Sequence, residues 1–211
     1  HRRQRQMCIR DRCKGNEVTL CKQSIPHAPE HVKWLCELLE ENATIGLDYR
    51  QFSKAQIDYL LSLSAEKNIR LQNEPHFAKE IWRNRPKRPN DPVSIHPLEF
   101  SGETTLSKLK KVQKTIKTAH ADFYLFSSLD EIAWLFNIRS NDVDFTPLVT
   151  AYALVGKEKT WLFCNKIRFT AAALQAFQKL NIEVEDYDHI AEVLPSVTKH
   201  KKIVTDASSL N

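Results

Sequence analysis

The chain has 211 residues, of which 42% are hydrophobic and 27% charged, a composition typical of a soluble globular protein with one large or two small domains. No apolar run approaches the roughly 18 residues that a membrane span requires, and no signal-peptide core is visible near the start, so we expect no membrane. The five cysteines form no C-x-x-C pair and are odd in number. This pattern favours a reduced, cytoplasmic setting without a zinc site or a disulfide framework.

The net charge of +5 is confined to the first fourteen residues. They contain six Lys or Arg and one Asp, which leaves 25 basic and 25 acidic residues in the remaining 197. A nucleic-acid-binding protein normally carries its positive charge on the folded surface, so we expect no nucleic acid as a partner. Residues 1–14 resemble translated sequencing-adaptor sequence, and we expect a non-native tail there; a nucleic-acid-binding arm is the alternative.

Two helices and two short strands are predicted between residues 15 and 82. Apolar residues at three- and four-residue spacing predict a helix over Glu30–Glu41. Ser53 is placed to cap a second helix that runs to about Asn68. The predicted strands are Ala43–Leu47 and Ile69–Leu71. Two short strands and two helices are not a whole domain, because the sheet would lack its central strands. Residues 15–82 are therefore predicted to be the C-terminal part of a first α/β domain.

A basic, proline-rich segment, residues 83–92, follows this first part. It has three prolines and four basic residues in ten positions. Proline removes a backbone donor and disfavours helix in the residue before it, so the segment is predicted to be a hinge. A basic recognition motif is the alternative. Ile81 and Trp82, just before the hinge, are available to pack it against a neighbouring surface.

Residues 93–211 begin a second α/β unit with an amphipathic helix. Its apolar face is formed by Leu106, Leu109, Val112 and Ile116. Five lysines surround that face and are compatible with phosphate binding or with a solvated helix face, of which we expect the solvated face. They are Lys108, Lys110, Lys111, Lys114 and Lys117.

The segment Ser128–Val155 carries the densest pattern in the chain. Ser128 and Glu131 have the spacing of a capping box at a helix start. The apolar residues of that helix share one face and are Ile132, Leu135 and Phe136. A polar stretch, Asn137–Asp144, then precedes an apolar strand, Leu148–Val155, that suits burial on both faces. This order predicts polar side chains at the rim of a sheet, namely Asn137, Arg139, Asn141, Asp142 and Asp144.

The rest of the second unit predicts a mixed sheet of about five strands with helices on its faces. The strands are expected at Phe123–Phe126, Leu148–Val155, Thr160–Cys164, Ile182–Val184 and Lys202–Thr205. Helices are expected at Ala171–Leu180 and His189–Val197. The polar turn Gly156–Lys159 between two strands predicts an antiparallel hairpin.

The residues of the chain give no self-sufficient active site. With four glycines in all, neither G-x-G-x-x-G nor G-x-x-x-x-G-K-[ST] occurs. His27 and His31 have the spacing of two metal ligands on a helix, but Pro29 and the lack of a third ligand favour surface histidines. Local pairing or helix capping accounts for His120 with Asp122, and for Asp186, Asp188 and His189. Cys164 is predicted to be a small buried hydrophobe, so we expect no catalytic residue and no metal ligand in this chain.

Several segments resemble the three-domain X-Pro aminopeptidases (aminopeptidases P). SLDEIAWLFNIRSNDVDFTPLVTAYALV, residues 128–155, is similar to their characteristic D-E-I-A-W-L-F-N-x-R-G-x-D…P…S-Y-A segment. Further similar segments are Ile81-Trp82-x-x-Arg85-Pro86-x-x-Pro89, Phe100-Ser101-Gly102-Glu103-Thr104 with Lys108, Asn16-x-x-Thr19-Leu20-x-Lys22, Trp34-Leu35 and Gly46-Leu47-Asp48. The resemblance runs from about Asn16 to Asn211. It departs at Ser140, where the family usually has glycine; if that glycine takes a positive φ, serine would be strained there.

The resemblance implies a fold and a parent activity. The fold class is α/β, a creatinase N-terminal-like (ribonuclease H-like) mixed sheet with helices on its faces, preceded by the end of a similar domain. Such enzymes act on peptides with proline at the second position and release the N-terminal residue. Their catalytic domain, of the pita-bread fold, holds two divalent metal ions, usually manganese, through two Asp, two Glu and a His. That domain is expected to be absent here, so the fragment alone is expected to be inactive.

In this family the N-terminal domains wall the active-site cleft and support a homodimer. We therefore expect Asn137, Arg139 and Asp142 to line the cleft edge that faces the catalytic domain. The alternative is that Arg139 pairs with Asp130 or Asp144 and holds the turn. A second function is an aminopeptidase-like module reused for protein binding, as in histone-chaperone large subunits that keep the fold without the metals. Creatinase or prolidase is less favoured, because of the two-domain N-terminal portion and the W-L-F-N segment.

Overall fold

The computed structural model describes residues 21–25, 28–74 and 80–211. The expected tail, most of the similar segment Asn16–Lys22 and His27 lie outside these ranges. The chain divides into two compact units: one comprises the described parts of His1–Gly46 with Tyr59–Gln72, the other Leu47–Asp58 with Asn73–Asn211. The domain boundaries predicted at residues 82 and 93 stay a prediction. None of the described helices is long and apolar enough to cross a membrane.

The early part of the chain has the predicted order of helix, strand, helix, strand. The elements are α1 Glu30–Leu38, β1 Thr44–Leu47, α2 Lys54–Ser64 and β2 Arg70–Asn73, and the two strands pair in one small sheet. Helix α1 ends earlier than predicted because Leu39 is already extended. The Ser53 hydroxyl accepts a hydrogen bond from the Gln56 amide, so the predicted cap of α2 is confirmed. A 3-10 turn continues α2 until Asn68, whose left-handed φ of 51° ends it.

The later part of the chain contains the main sheet and its helices. In order its elements are β3 Ser94–Ile95, α3 Leu98–Ser101, α4 Thr105–Thr118, β4 Phe123–Phe126, α5 Leu129–Phe136, β5 Ile138–Arg139, β6 Tyr152–Gly156, β7 Thr160–Phe163, α6 Ala171–Lys179, β8 Ile182–Glu185, α7 Ile190–Thr198 and β9 Ile203–Thr205. Each helix and strand predicted for this part is present, and no end differs from its predicted position by more than four residues.

The main sheet is mixed and has five strands, as predicted, and their order in the sheet is β8-β7-β6-β4-β9. Strand β6 runs antiparallel to both β4 and β7, while β4 with β9 and β7 with β8 are parallel pairs. The predicted hairpin is confirmed, because Val155 pairs with Thr160 across the polar turn. Four strands therefore end at the same edge of the sheet, where β6 begins, and we call this the carboxyl edge.

Helices cover both faces of the sheet. On one face, the inward side chains of α4, α5 and α6 form one core cluster with alternate residues of β6 and β7, such as Val155 and Leu162. On the other face, α7 packs on the opposite set, which includes Leu154 and Phe163. The alternation of side chains along a strand produces this division. The predicted inward residues of α5, from Ile132 to Phe136, are confirmed at zero exposure for Ile132, Leu135 and Phe136.

The predicted capping box at α5 is wrong. Ser128 is the N-cap residue and has an extended backbone, but its side chain makes no capping hydrogen bond. The pKa of Glu131 is raised by desolvation and by the negative charges of Asp130 and Asp206. A carboxylate that accepted a backbone amide would shift its pKa downward instead. The position of α5 therefore depends on its buried face and not on reciprocal capping.

Strand β6 begins four residues later than predicted. The predicted strand was Leu148–Val155, whereas the ladder to β7 begins at Tyr152. The amide of Thr150 donates to the Asp142 carboxylate at 2.7 Å and so is not free for a strand partner. Residues 148–151 thus belong to the loop that precedes the sheet.

Gly156 gives a test of the hairpin packing. A Cβ at this position would lie 2.9 Å from the Lys159 carbonyl oxygen and 2.9 Å from the Phe123 ring. We expect Gly156→Ala to lower the free energy of unfolding by about 1–3 kcal/mol, because the Lys159 backbone cannot yield without disturbing the turn. Urea denaturation measures the change, with the exposed neighbour Lys157→Ala as control. Equal midpoints for the two variants would contradict this packing.

Candidate functional site

Asn137 ends helix α5 and is locked between α4 and α5. It takes the left-handed conformation, with φ at 53°, and its amide bonds to the last carbonyls of the helix. The side chain is used in both directions: Nδ2 donates to the Glu103 carbonyl at 2.8 Å, and Oδ1 accepts from Lys108 Nζ at 2.5 Å. Because only 7% of Asn137 is exposed, its role in this chain is to position the backbone that follows.

Lys108 corrects the prediction of a solvated lysine face. Only 1% of its surface is exposed, and its Nζ donates to the Trp134 carbonyl at 2.8 Å as well as to Asn137. The ammonium also lies 4.7 Å from the Trp134 ring centroid, and burial lowers its pKa. Lys108 is buried because it lies four residues before Val112, at the edge of the core-facing side of α4. There its ammonium meets the final carbonyls of α5, which need donors. The other four lysines are exposed as predicted.

Arg139 serves the same helix end. Its Nη1 donates to the carbonyls of Ala133 and Ile138, each at 2.8 Å. The alternative that Arg139 pairs with Asp130 or Asp144 is wrong, since the guanidinium is directed to backbone oxygens instead. Strand β5, in which Arg139 lies, pairs antiparallel with β3, where Ser94 is opposite Arg139.

Asp142 forms a buried ion pair with Arg168. The side chains are 0% and 3% exposed, and Arg168 Nη2 donates to Asp142 Oδ1. The other carboxylate oxygen accepts the Thr150 amide. Ser140 Oγ lies 3.0 Å from Asp142 Oδ1 and accepts from Arg168 Nη2 at 2.9 Å. The charges are thus paired and hydrogen-bonded, which is the condition for a stable buried ion pair.

The same ion pair holds the end of the proline-rich segment. Arg168 Nε donates to the Asp91 carbonyl at 2.8 Å, and the Val93 amide donates to the Arg168 carbonyl at 2.8 Å. Earlier in the segment, Arg88 forms a salt bridge with Asp188 and lies 3.9 Å from the Tyr187 ring centroid. Residues 83–92 contain no helix or strand, as predicted for a hinge, but their second half is fixed to the second unit.

Ser140 is not strained. It does not belong to the residues with positive φ, so the condition for strain at this position is not met. Its hydroxyl is instead part of the buried ion pair's hydrogen bonds, and it also lies 3.2 Å from the Pro92 carbonyl. A serine here therefore adds a polar link between the hinge and the loop.

Phe145 is the unexpected residue of the loop. It has a φ of 61°, and its side chain is fully exposed, at 106% of the reference value. The Thr146 amide donates to the Val143 carbonyl at 3.1 Å, which makes Phe145 the third residue of a tight turn. Nothing in the sequence pattern had marked this residue.

Two cavities open at the carboxyl edge and share Thr150 and Tyr187 in their walls. Their volumes are about 380 and 320 Å³. Burial raises the pKa of Tyr187, and a hydrogen bond with Tyr152 acts in the same direction. Arg168 also lines the smaller cavity, but its guanidinium is occupied by the ion pair. The walls therefore bring no nucleophile and base together.

The remaining candidate residues are used in local pairs. His189 contacts Glu185 at 3.2 Å, whereas Asp188 binds Arg88, so the group at residues 186–189 is divided. Asp122 accepts from the Lys202 amide and from Lys157. Across residues 21–25, 28–74 and 80–211, no group of three or more His, Cys, Asp or Glu side chains could hold a metal ion.

Cys164 is a buried, inert thiol, as predicted. It is fully buried, and burial raises its pKa to about 11. The thiolate needed for nucleophilic chemistry is therefore scarce at neutral pH. Arg168 Nη1 lies 3.5 Å from the sulfur, which places Cys164 against the buried ion pair.

Comparison with known proteins gives consistent results. The family model described as the creatinase/prolidase N-terminal domain matches residues 84–211. Aminopeptidase P2 of Arabidopsis thaliana is 30% identical over 197 residues, which cover 91% of this chain and 28% of that protein. Probable Xaa-Pro aminopeptidase P of Talaromyces marneffei is 32% identical over 176 residues, which cover 82% of this chain and 26% of that protein.

A solved structure shows the same fold. X-prolyl aminopeptidase from Caenorhabditis elegans, described as a cytosolic enzyme with a di-nuclear active site, has a TM-score of 0.79 and 25% identity. The match covers 86% of this chain and 30% of that one. The predicted creatinase N-terminal-like fold is therefore confirmed. The chain spans 28% and 26% of the length of the two relatives named above.

A double-mutant cycle tests the buried ion pair. We expect Arg168→Met to lower the free energy of unfolding by about 3–5 kcal/mol, because the Asp142 carboxylate would remain buried without a partner. Asp142→Asn keeps an acceptor for the Thr150 amide and should cost less. The double variant should be more stable than the sum of the two losses predicts, by about 1–3 kcal/mol. Additive losses in chemical denaturation would show that the two charges do not interact.

Proposed function

The chain belongs to the creatinase/prolidase N-terminal domain family, and from that premise we propose that it is the non-catalytic N-terminal portion of an X-Pro aminopeptidase. The complete enzyme would release the N-terminal residue from peptides whose second residue is proline. The observation that carries this proposal is the TM-score of 0.79 to X-prolyl aminopeptidase over 86% of the chain. The curated relatives, named aminopeptidase P or probable Xaa-Pro aminopeptidase P, support it.

The catalytic chemistry would be supplied outside the described residues. The worm enzyme is described as di-nuclear, and we propose two divalent metal ions, with manganese as our choice, in the complete protein. The described residues do not fit such a centre, because they contain no group of three or more candidate ligands. No reaction step is therefore assigned to this chain, and we propose that it is inactive alone.

The role proposed for the second unit is to form one wall of the substrate cleft. Asn137, Arg139 and Asp142 remain our candidates for the cleft edge. The buried side chains of Asn137 and Asp142 would act by fixing the loop backbone, while the half-buried Arg139 is the member with some exposed surface. A rigid edge suits the orientation of a short peptide, since misplacement by about 1 Å can cost two orders of magnitude in rate.

Two further properties are proposed for the complete protein. We propose a homodimer and a cytoplasmic location, the second because the worm enzyme is described as cytosolic. The N-terminal portion represented by this chain would support that dimer.

Peptide hydrolysis tests the proposed function. The complete gene product, with manganese, should release the first residue from an X-Pro peptide and leave a matched X-Ala peptide intact. The 211-residue chain under the same conditions should release nothing, because no metal-ligating cluster occurs in its described residues. Amino-acid release followed by mass spectrometry measures both. Turnover by the short chain, or none by the complete protein, would contradict the proposal; a complete protein without the two Asp, two Glu and one His would point to a protein-binding module.

Arg139→Ala in the complete protein tests the cleft edge. We expect a fall in kcat/KM of about tenfold or more, because the loss of donors to two α5 carbonyls would displace the loop. Lys199→Ala, at an exposed site after α7, is the matched control. If Arg139→Ala changed neither peptide turnover nor dimer stability, the proposed cleft edge would be wrong.

A further inference from the structure

The backbone at Phe145 is unfavourable for the residue that occupies it. Phe145 is the third residue of a turn closed by the Thr146 amide and the Val143 carbonyl, and its φ is 61°. A turn position with positive φ favours Gly or Asn. The other non-glycine residues with positive φ in the described ranges are asparagine or histidine. A phenylalanine in the left-handed region is strained by its side chain.

The fold of this chain gains nothing from the Phe145 side chain. Full exposure leaves the ring without packing, and the residues around it, from 143 to 147, are all exposed. An exposed aromatic ring and a strained backbone are both costs to the isolated chain. Strained residues that persist in this way are concentrated at functional sites and ligand contacts.

Hydrogen bonds at the base of the loop fix the turn that carries Phe145. The Thr150 amide donates to the Asp142 carboxylate at 2.7 Å, and this bond joins the two ends of the loop, which are eight residues apart in the sequence. Asp142 is itself fixed by the buried ion pair with Arg168. The ring is therefore presented on a preorganised loop, which reduces the entropy lost when such a side chain binds.

We propose that Phe145 is an anchor residue that inserts into an apolar pocket on the peptidase domain of the same polypeptide. This proposal rests on the proposed function, which places such a domain in the complete protein. Buried aromatic side chains are the characteristic anchors of protein interfaces. Val143, exposed two residues earlier, adds a second apolar side chain beside the exposed Asp144.

We choose a domain of the same polypeptide as the binding partner of Phe145 because the match covers only a small share of the related proteins. The match covers only 30% of the solved worm enzyme and 28% of the first plant relative, so most of each protein lies outside the matched region. A surface on the same polypeptide has a high effective concentration, on the order of millimolar for short flexible linkers. It therefore outcompetes a second copy or a separate protein for the same exposed ring.

The test compares Phe145→Asn in two contexts by thermal unfolding. In the 211-residue chain, the variant should raise Tm by about 2–4 °C, because asparagine tolerates the left-handed backbone. In the complete protein, it should instead lower the first unfolding transition by several degrees, since the anchor is lost. Phe145→Leu, which keeps an apolar tip, should lower that transition less and should not stabilise the short chain. Ile167→Asn is the matched control, because Ile167 is another exposed hydrophobic residue, at 78%. Its effect on the unfolding temperature should have the same sign in both contexts.

Three results would overturn the anchor. The first is that Phe145→Asn changes the unfolding temperature in the same direction in the short chain and in the complete protein. The second is that Ile167→Asn also reverses its effect between the two, and the third is that the loss of stability in the complete protein depends on protein concentration. The last result would identify a second copy as the occupant. The unfolding measurement does not depend on enzymatic activity. If the complete protein failed to hydrolyse X-Pro peptides, the proposed function would be wrong. Opposite effects of Phe145→Asn on the unfolding temperature in the two contexts would still support the anchor.

Discussion

The buried ion pair between Asp142 and Arg168 is the interaction on which the loop side of the second unit depends. Removing two charges from water costs several kcal/mol for each ion, so such a pair is stable only when its remaining polar atoms are satisfied. Here Ser140, the Thr150 amide and the Asp91 carbonyl complete the set. As a result, three segments far apart in the sequence are held together: the end of the hinge, the polar loop and the turn after β7.

The end of helix α5 shows a second constraint, which is the need to satisfy helix carbonyls inside a core. Lys108 and Arg139 donate to the carbonyls of Trp134 and Ala133. Asn137 links the end of α5 to the Glu103 carbonyl, two residues before α4. Charged side chains serve here as donors to backbone carbonyls that the helix leaves unpaired. These bonds fix the direction in which the chain leaves the helix and so determine where the loop with Phe145 begins.

The sequence was sufficient for the strands and helices and for their order along the chain, because periodicity and turn residues are local signals. The order of the strands within the sheet was not predicted. It was insufficient for the partners of polar residues. Arg168 lies 26 residues from Asp142, and no local pattern connects a basic residue in a turn with an acidic residue in a distant loop. Lys108 was assigned to solvent with its four neighbours, because composition does not show that one of them faces a helix end.

The family resemblance identified the loop as important but not the reason for its shape. The polar residues of Asn137–Asp144 are expected to present side chains. Asn137 and Asp142 are instead directed inward, while Asn141 and Asp144 are exposed as predicted, beside the apolar side chains of Val143 and Phe145. The start of β6 was misplaced for the same reason, since the Thr150 amide belongs to Asp142. In both cases a buried carboxylate or amide decided between two locally acceptable conformations.

Amide hydrogen exchange at Thr150 tests most directly whether the ion pair fixes the loop. If Asp142 is held as described, this amide should exchange only when the whole unit unfolds, at the rate of the core amides of β6 such as Leu154. In Arg168→Met it should exchange by local opening, while the β6 amides keep their protection relative to global unfolding. Exchange of Thr150 in the unmodified chain as fast as that of the exposed residues 143–146 would contradict the account.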